Sequence, residues 1–186
     1  MSSIIFRHTE KKEIEYLDQL FEEKEWFESH NFPVFLPPDK KNIKEAIFRE
    51  KTGLNKKISQ LKKDWGKIEK EYFETIKKFK HKKLLKKYMC HISYFGPEGK
   101  YCPPNLLFVR LHTKQDENTA LETVAHELLH LIFMNYFESR NLDYAEREGM
   151  IDAIILESDL NLIFPSYQKQ TVGKIREELL KSILRR

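Results

Sequence analysis

Thr123-Val124-Ala125-His126-Glu127-Leu128-Leu129-His130-Leu131-Ile132-Phe133 is the stretch on which the reading of this chain turns. Its centre is H-E-x-x-H. Two histidines at i and i+4 stand one above the other on a single helix face. Both imidazoles can then reach one tetrahedral zinc ion. Glu127 lies one residue past the first histidine, where its carboxylate can hold a metal-bound water rather than the metal. Zinc brings the pKa of such a water toward neutrality, and Glu127 can take its proton. That is equipment for hydrolysing an amide. Between Val124 and Met134 the only charged residue is Glu127, so the helix is expected to be buried on most sides. Buried imidazoles and a buried carboxylate need partners, and a metal supplies them. The competing reading is two satisfied core histidines beside a glutamate on the helix surface.

A third ligand has to come from elsewhere. No histidine follows His130, and Phe133 and Tyr136 stand where the elongated H-E-x-x-H-x-x-G-x-x-H signature needs Gly and His. The downstream carboxylates are the pool. Glu146-Arg147-Glu148-Gly149-Met150-Ile151-Asp152-Ala153-Ile154-Ile155-Leu156 reads as a helix that is polar on entry and buried later. Glu148 and Asp152 share one of its faces. Glu148 can ligate zinc while Asp152 accepts the second ring N–H of a ligand histidine, which fixes the tautomer. Glu146 and Asp143 are rival third ligands. Glu146 has Met150 four residues on, so it lacks that support, and it suits a helix N-terminus as an acid favoured by the dipole.

H-E-x-x-H followed by a helix bearing E-x-x-x-D resembles the gluzincin clan of zinc metallopeptidases, the thermolysin-like group, and its minimal single-domain members most of all. The resemblance covers about a third of the chain, roughly residues 105–160, with 148 − 126 = 22 positions between the first histidine and the glutamate. It implies His126, His130 and Glu148 as ligands, Glu127 as general base and Asp152 as support for a ligand histidine. It also implies that strand 106–111 is the upper edge of a cleft, where an extended peptide substrate adds as another strand. The chain departs from the family in its oxyanion helper, a His or Tyr beyond the glutamate helix. Tyr167 is the residue of that type downstream of Asp152, and Tyr144 is a second option. The stretch E-R-E-G-M-I-D-A-I-I-L is also similar to small regulatory metallopeptidases that cleave phage-type repressors, which carry an aromatic where Asp152 stands.

The rest of the chain sets the frame. Its 186 residues suffice for one domain with an extension, or two small domains. Charged residues make up 33%, no apolar run reaches membrane-spanning length, and the N-terminus lacks a signal-peptide core. Cys90 and Cys102 make no disulfide framework. A cytoplasmic protein with free thiols is expected.

Residues 9–30 form an acidic amphipathic stretch, broken by the proline-bounded apolar strip 32–38. That strip could occupy the cleft in place of substrate and keep the chain latent. Ile43, Ile47, Leu54, Ile58, Leu61, Trp65, Ile68, Tyr72 and Phe79 then follow a heptad-like seam, with a break offered at Gly53. It predicts a long or kinked helix packed on the 9–30 helix, and a seam for self-association. Residues 56–87 hold thirteen lysines against four acids, the one argument for nucleic acid, though much of this is the solvated face of a helix.

Residues 87–95 and 105–112 read as strands around a Gly96–Gly99 turn, forming a hairpin or part of a small sheet. Cys90, His91, Cys102 and His112 fit no metal-binding spacing. Asp116 or Asn118 is the expected N-cap of the motif helix, and a last amphipathic helix spans roughly 172–184. The whole reads as an α+β, mostly helical fold. An N-terminal helical segment, 1–86, precedes a zincin-like unit, 87–186, whose small sheet packs on the motif helix and the glutamate helix. The expected activity is zinc-dependent endopeptidase. The rival from another class is a binding module that keeps the zinc fold and uses the lysine-rich helix on a nucleic acid or protein partner.

Overall fold

The computed structural model describes residues 2–29, 32–50, 54–111, 117–169 and 173–185. In chain order the elements are β1 (Ser3–Arg7), α1 (Glu10–Glu22), α2 (Lys24–Ser29), α3 (Ile43–Glu50), α4 (Leu54–Lys77), β2 (Lys87–Ser93), β3 (Gly99–Cys102), β4 (Leu106–Arg110), α5 (Glu117–Ser139), α6 (Tyr144–Leu156), α7 (Leu160–Ile163) and α8 (Glu177–Leu184). This is the expected α+β class, helix-rich with one small mixed sheet. The expected N-caps Asp116 and Asn118, like His112 and Gly53, fall outside the described residues or side chains.

The sheet runs β1-β2-β4-β3. β1 and β2 pair in parallel, β2 and β4 pair in parallel, and only β3 runs against β4. The strands at 87–95 and 105–112 therefore do not form a hairpin with each other. The chain crosses the end of β4, descends as β3 on its far side, and returns as β4 into the middle. This corrects the reading of 106–111 as the cleft edge. Both backbone sides of β4 are taken, by β2 and β3, so the edge is β3.

β1 joins the first residues of the chain to the sheet, and α4 packs against α5, α7 and β1. One hydrophobic cluster includes Phe6, Tyr16, Leu17 and Trp65 together with Ile92, Leu107, Phe133 and Ile154. Segments 1–86 and 87–186 thus share one sheet and one core. The amphipathic stretch 9–30 does meet the following helical stretch, through α1 on α3. Ile43, Ile47, Leu54, Ile58, Leu61, Trp65, Tyr72 and Phe79 are all buried within this one chain. The seam that the sequence offered for self-association is used by the chain's own core.

The site is positioned by two helices made differently. α5 is buried at every residue from Val124 to Phe133, as its apolar flanks require. The Tyr72 hydroxyl on α4 donates to the Ala125 carbonyl at 2.7 Å, one residue before the motif. α6 begins in a capping box: the Asp143 side chain accepts from the Glu146 N–H at 2.8 Å, and Glu146 accepts from the Asp143 N–H at 3.0 Å. No described helix is long and apolar enough to cross a membrane.

Candidate metal centre

His126 and His130 on α5 face Glu148 on α6, and all three are 2–4% exposed. Their ligand atoms form a small triangle. The two Nε2 atoms are 3.0 Å apart, His126 Nε2 lies 3.0 Å from Glu148 Oε2, and His130 Nε2 lies 3.4 Å from it. Tetrahedral bonds of about 2.0–2.1 Å put ligands about 3.3 Å from one another, so the triangle has the dimensions of a zinc face. Glu146 and Asp143, the rival ligands, are engaged in the cap of α6 and lie outside it.

The protonation pattern behind the triangle argues in the same direction. The Tyr167 hydroxyl donates to Asp152 Oδ1 at 2.7 Å, and its oxygen lies 2.7 Å from His126 Nδ1. One hydroxyl has one proton, so His126 must donate from Nδ1. Its Nε2 then presents a lone pair toward the Glu148 carboxylate and the second imidazole. Acceptors converge there with too few protons among them, and a cation satisfies all of them. The two-imidazole, one-carboxylate set suits zinc. Without a cation a proton takes its part. Burial pulls the His126 pKa down, but the Glu148 hydrogen bond and the charges of Glu127, Glu148 and Asp152 win and raise it. Burial likewise pushes Glu148 up, yet its bonds to both histidines hold it at about 2. His130 is lowered, by burial first.

Asp152 was expected to touch a ligand histidine directly, and Tyr167 to face the reaction. The structure places them otherwise. His126 Nδ1 is 3.8 Å from Asp152 Oδ1, with the Tyr167 hydroxyl between them. Tyr167 therefore sits behind the ring, on the side away from the ligand triangle, and acts by orienting His126. The C-terminal segment that carries it is pressed onto α6. A Cβ on Gly149 would overlap the Lys174 backbone, and a Cβ on Gly173 would strike the Gly149 backbone and touch the Asp152 carboxylate. The Lys174 N–H donates to the Ala145 carbonyl at 2.8 Å.

Glu127 stands outside the triangle, where a general base would have to be. Its carboxylate accepts the Tyr101 backbone N–H and rests against Gly99, where a Cβ would fall inside it. Burial, together with the charge of Glu148, pushes its pKa to about 7. A base poised there matches neutral operating pH. Gly99 and Tyr101 are residues that sequence reasoning missed. Their i,i+2 spacing puts both on one face of β3, and the Tyr101 ring stacks on His130 with centroids 4.5 Å apart. The Gly96–Gly99 stretch read only as a turn.

A second cluster was also missed. His8, Glu13 and His91 bring ligand-type atoms within 4.8 Å of one another. Glu13 is fully buried; its Oε1 accepts from the Ser93 hydroxyl at 2.7 Å and the Tyr94 N–H at 3.1 Å, and its Oε2 lies 3.3 Å from His91 Nε2. His8 Nδ1 lies 2.9 Å from the Ile92 carbonyl oxygen. Protein groups account for these contacts, and the cluster fastens α1 to β2. In the lysine-rich run, Lys77 and Lys78 pair with Glu74 at 2.7 Å and Asp159 at 2.9 Å, so part of its charge is spent within the fold.

The chain matches no known protein-family model, no curated protein and no solved structure.

Proposed function

We propose that the protein is a zinc-dependent endopeptidase of gluzincin type, acting in the cytoplasm. The observation that carries this reading is the division of labour among four buried groups. Three ligand atoms converge at tetrahedral spacing, while Glu127, pushed up to about 7, stands beside them and outside the cluster. His126, His130 and Glu148 would hold the ion, which when bound would polarise a carbonyl and acidify water. Glu127 takes the proton of the attacking water and returns it to the leaving amine nitrogen. Tyr101 holds Glu127 in place through its backbone N–H and His130 through its ring. Tyr167 and Asp152 hold His126 in the tautomer that keeps Nε2 available. Substrate in extended form would pair with β3, the strand that borders Glu127, rather than with 106–111.

The burial of His126, Glu127, His130, Glu148 and Asp152, all 2–7% exposed, favours a narrow substrate range or a latent resting form over general proteolysis. A regulator that cuts one protein partner is the second version of the same reading. The test is a mixed peptide library digested by the full chain, with a zinc chelator and Glu127→Ala as blanks, alongside metal analysis. One zinc per chain and chelator-sensitive cuts lost in Glu127→Ala are expected. A protein that binds no zinc, or cuts that persist in Glu127→Ala, would overturn the proposal.

A further inference from the structure

The strip Phe32-Pro33-Val34-Phe35-Leu36 has no part in the metal site; it touches the segment before β3 at one end and the first residue of α6 at the other. At one end Phe35 and Gly96 exchange both backbone hydrogen bonds, 3.0 and 2.6 Å, as an isolated antiparallel pair. Gly96 can do this because its φ is +98°, and a Cβ there would strike the Tyr16 hydroxyl. The Phe35 ring stacks on Phe95 with centroids 5.5 Å apart, and the Arg110 guanidinium lies 5.8 Å from its centre. At the other end the Phe32 ring meets Tyr144, the first residue of α6, edge-on at 6.4 Å. Tyr144 is close enough to Glu148, Glu127 and Tyr101 for their charges to help raise its pKa, after burial. Three residue steps reach at most about 10 Å, so the strip bridges directly from Gly96, in the segment that leads into β3, to the first residue of α6.

The strip is strand-like but holds on lightly. Phe32, Val34 and Leu36 pack toward the core while Pro33 and Phe35 point outward, a period of two. Backbone groups that face a neighbouring strand also recur every second residue. The positions that share the Phe35 orientation are therefore 33 and 37, and both are proline. Neither has an N–H to give. The ladder is held to the Phe35 pair from both sides, since across from the two prolines the Glu98 carbonyl accepts the Arg110 N–H at 3.0 Å and the Tyr94 N–H goes to Glu13 at 3.1 Å.

We propose that residues 32–36 are an internal pseudosubstrate. They occupy the subsite, between Gly96 and Tyr144, that takes the upstream part of an extended peptide with apolar side chains at alternate positions. This rests on the peptidase reading of the neighbouring centre and supplies its substrate class and its latency. Deleting residues 1–40 is not a usable test, because it removes β1 and the core residues Phe6, Tyr16, Leu17 and Leu20. Substitutions within the strip are.

The probe is a fluorescein-labelled Phe-Ala-Val-Phe-Leu peptide, and the readout is its anisotropy on full-length protein carrying Glu127→Ala, so that nothing is cut. Adding Phe32→Ala with Phe35→Ala loosens the strip and should tighten peptide binding at least tenfold. Adding Phe48→Ala instead removes a ring on α3 that is 76% exposed and should leave peptide binding at the parent value. A gain confined to the strip variant supports the proposal whether or not the Glu127 protein ever cuts a peptide, so a failed peptidase reading is seen separately. Equal peptide affinity in the parent and the strip variant, or the same gain in the Phe48→Ala protein, would overturn it.

Discussion

Replacing Glu127 by glutamine should abolish cleavage and, above neutral pH, make the metal-free protein more stable. In the folded chain burial, then the Glu148 charge, pushes the Glu127 carboxyl from its ordinary 4.5 to about 7. The folded state therefore keeps a proton that the unfolded chain releases between those values. Below pH 4.5 both states are protonated and the group is neutral in the balance. As pH rises from 4.5 to 7 the unfolded state gains, and above 7 the penalty on the fold is complete. The rise from 4.5 to about 7 corresponds to about 3 kcal/mol. A glutamine side chain does not titrate, and its amide oxygen can still accept the Tyr101 N–H. The advantage of Glu127→Gln should thus be near zero at pH 4.5 and about 3 kcal/mol at pH 8, or about 6–12 °C in Tm for a chain of this size. Urea unfolding of chelator-dialysed proteins at both pH values measures it. An advantage that is the same at both, or that shrinks toward pH 8, would refute the idea that Glu127 is held as a desolvated base.

Tyr167→Phe removes the hydroxyl between His126 and Asp152 and should weaken zinc binding about 10–100-fold, read by competition with a chromogenic chelator while circular dichroism stays constant. Unchanged affinity would detach Tyr167 from the metal. Gly149→Ala drives a methyl into the Lys174 backbone and should cost about 1–3 kcal/mol, whereas Gly66→Ala, which meets open space on α4, should gain about 0.5–1 kcal/mol; thermal melts of the two that move together would contradict the packing described. Glu13→Ala leaves the Ser93 hydroxyl, the Tyr94 N–H and His91 facing the gap left by the carboxylate and should cost about 3–5 kcal/mol. A loss under about 1 kcal/mol in urea unfolding would show that the carboxylate does not hold α1 on the sheet.

The meeting of His126 and His130 was legible because helix geometry converts spacing directly into proximity: the two share a face whatever the rest of the chain does. Glu148 and Asp152 were readable for the same reason. What lay between elements was not. Ser3–Arg7 is too short to distinguish from any apolar terminus, and becomes a strand only because β2, far along the chain, supplies its partner. β3 has four residues, two of which, Gly99 and Tyr101, are placed by Glu127 and His130 rather than by any local pattern. Glu13 breaks the periodicity rule outright. It is a charged residue on the buried face of an amphipathic helix, tolerated because three donors on β2 and the loop after it receive it. Tyr167 was found as a residue but placed on the wrong side of its histidine, since a sequence carries no sign of which ring nitrogen a hydroxyl will meet.

β1 comes first in the chain, and its geometry makes it late to arrive. Ser3 pairs with Lys87, 87 − 3 = 84 positions away, and its neighbour Ile4 gives its N–H to Glu69 on α4 at 2.8 Å. Met89 and Leu106, by contrast, pair across 106 − 89 = 17 positions. Closing the longer loop costs more entropy and slows the search. The half of the sheet nearest the ligands, with α5 and α6, is built from closer neighbours and can assemble while β1 is still searching. During refolding, zinc uptake is therefore expected to run ahead of the change in Trp65 fluorescence, because that indole waits for Phe6 of β1 to reach it.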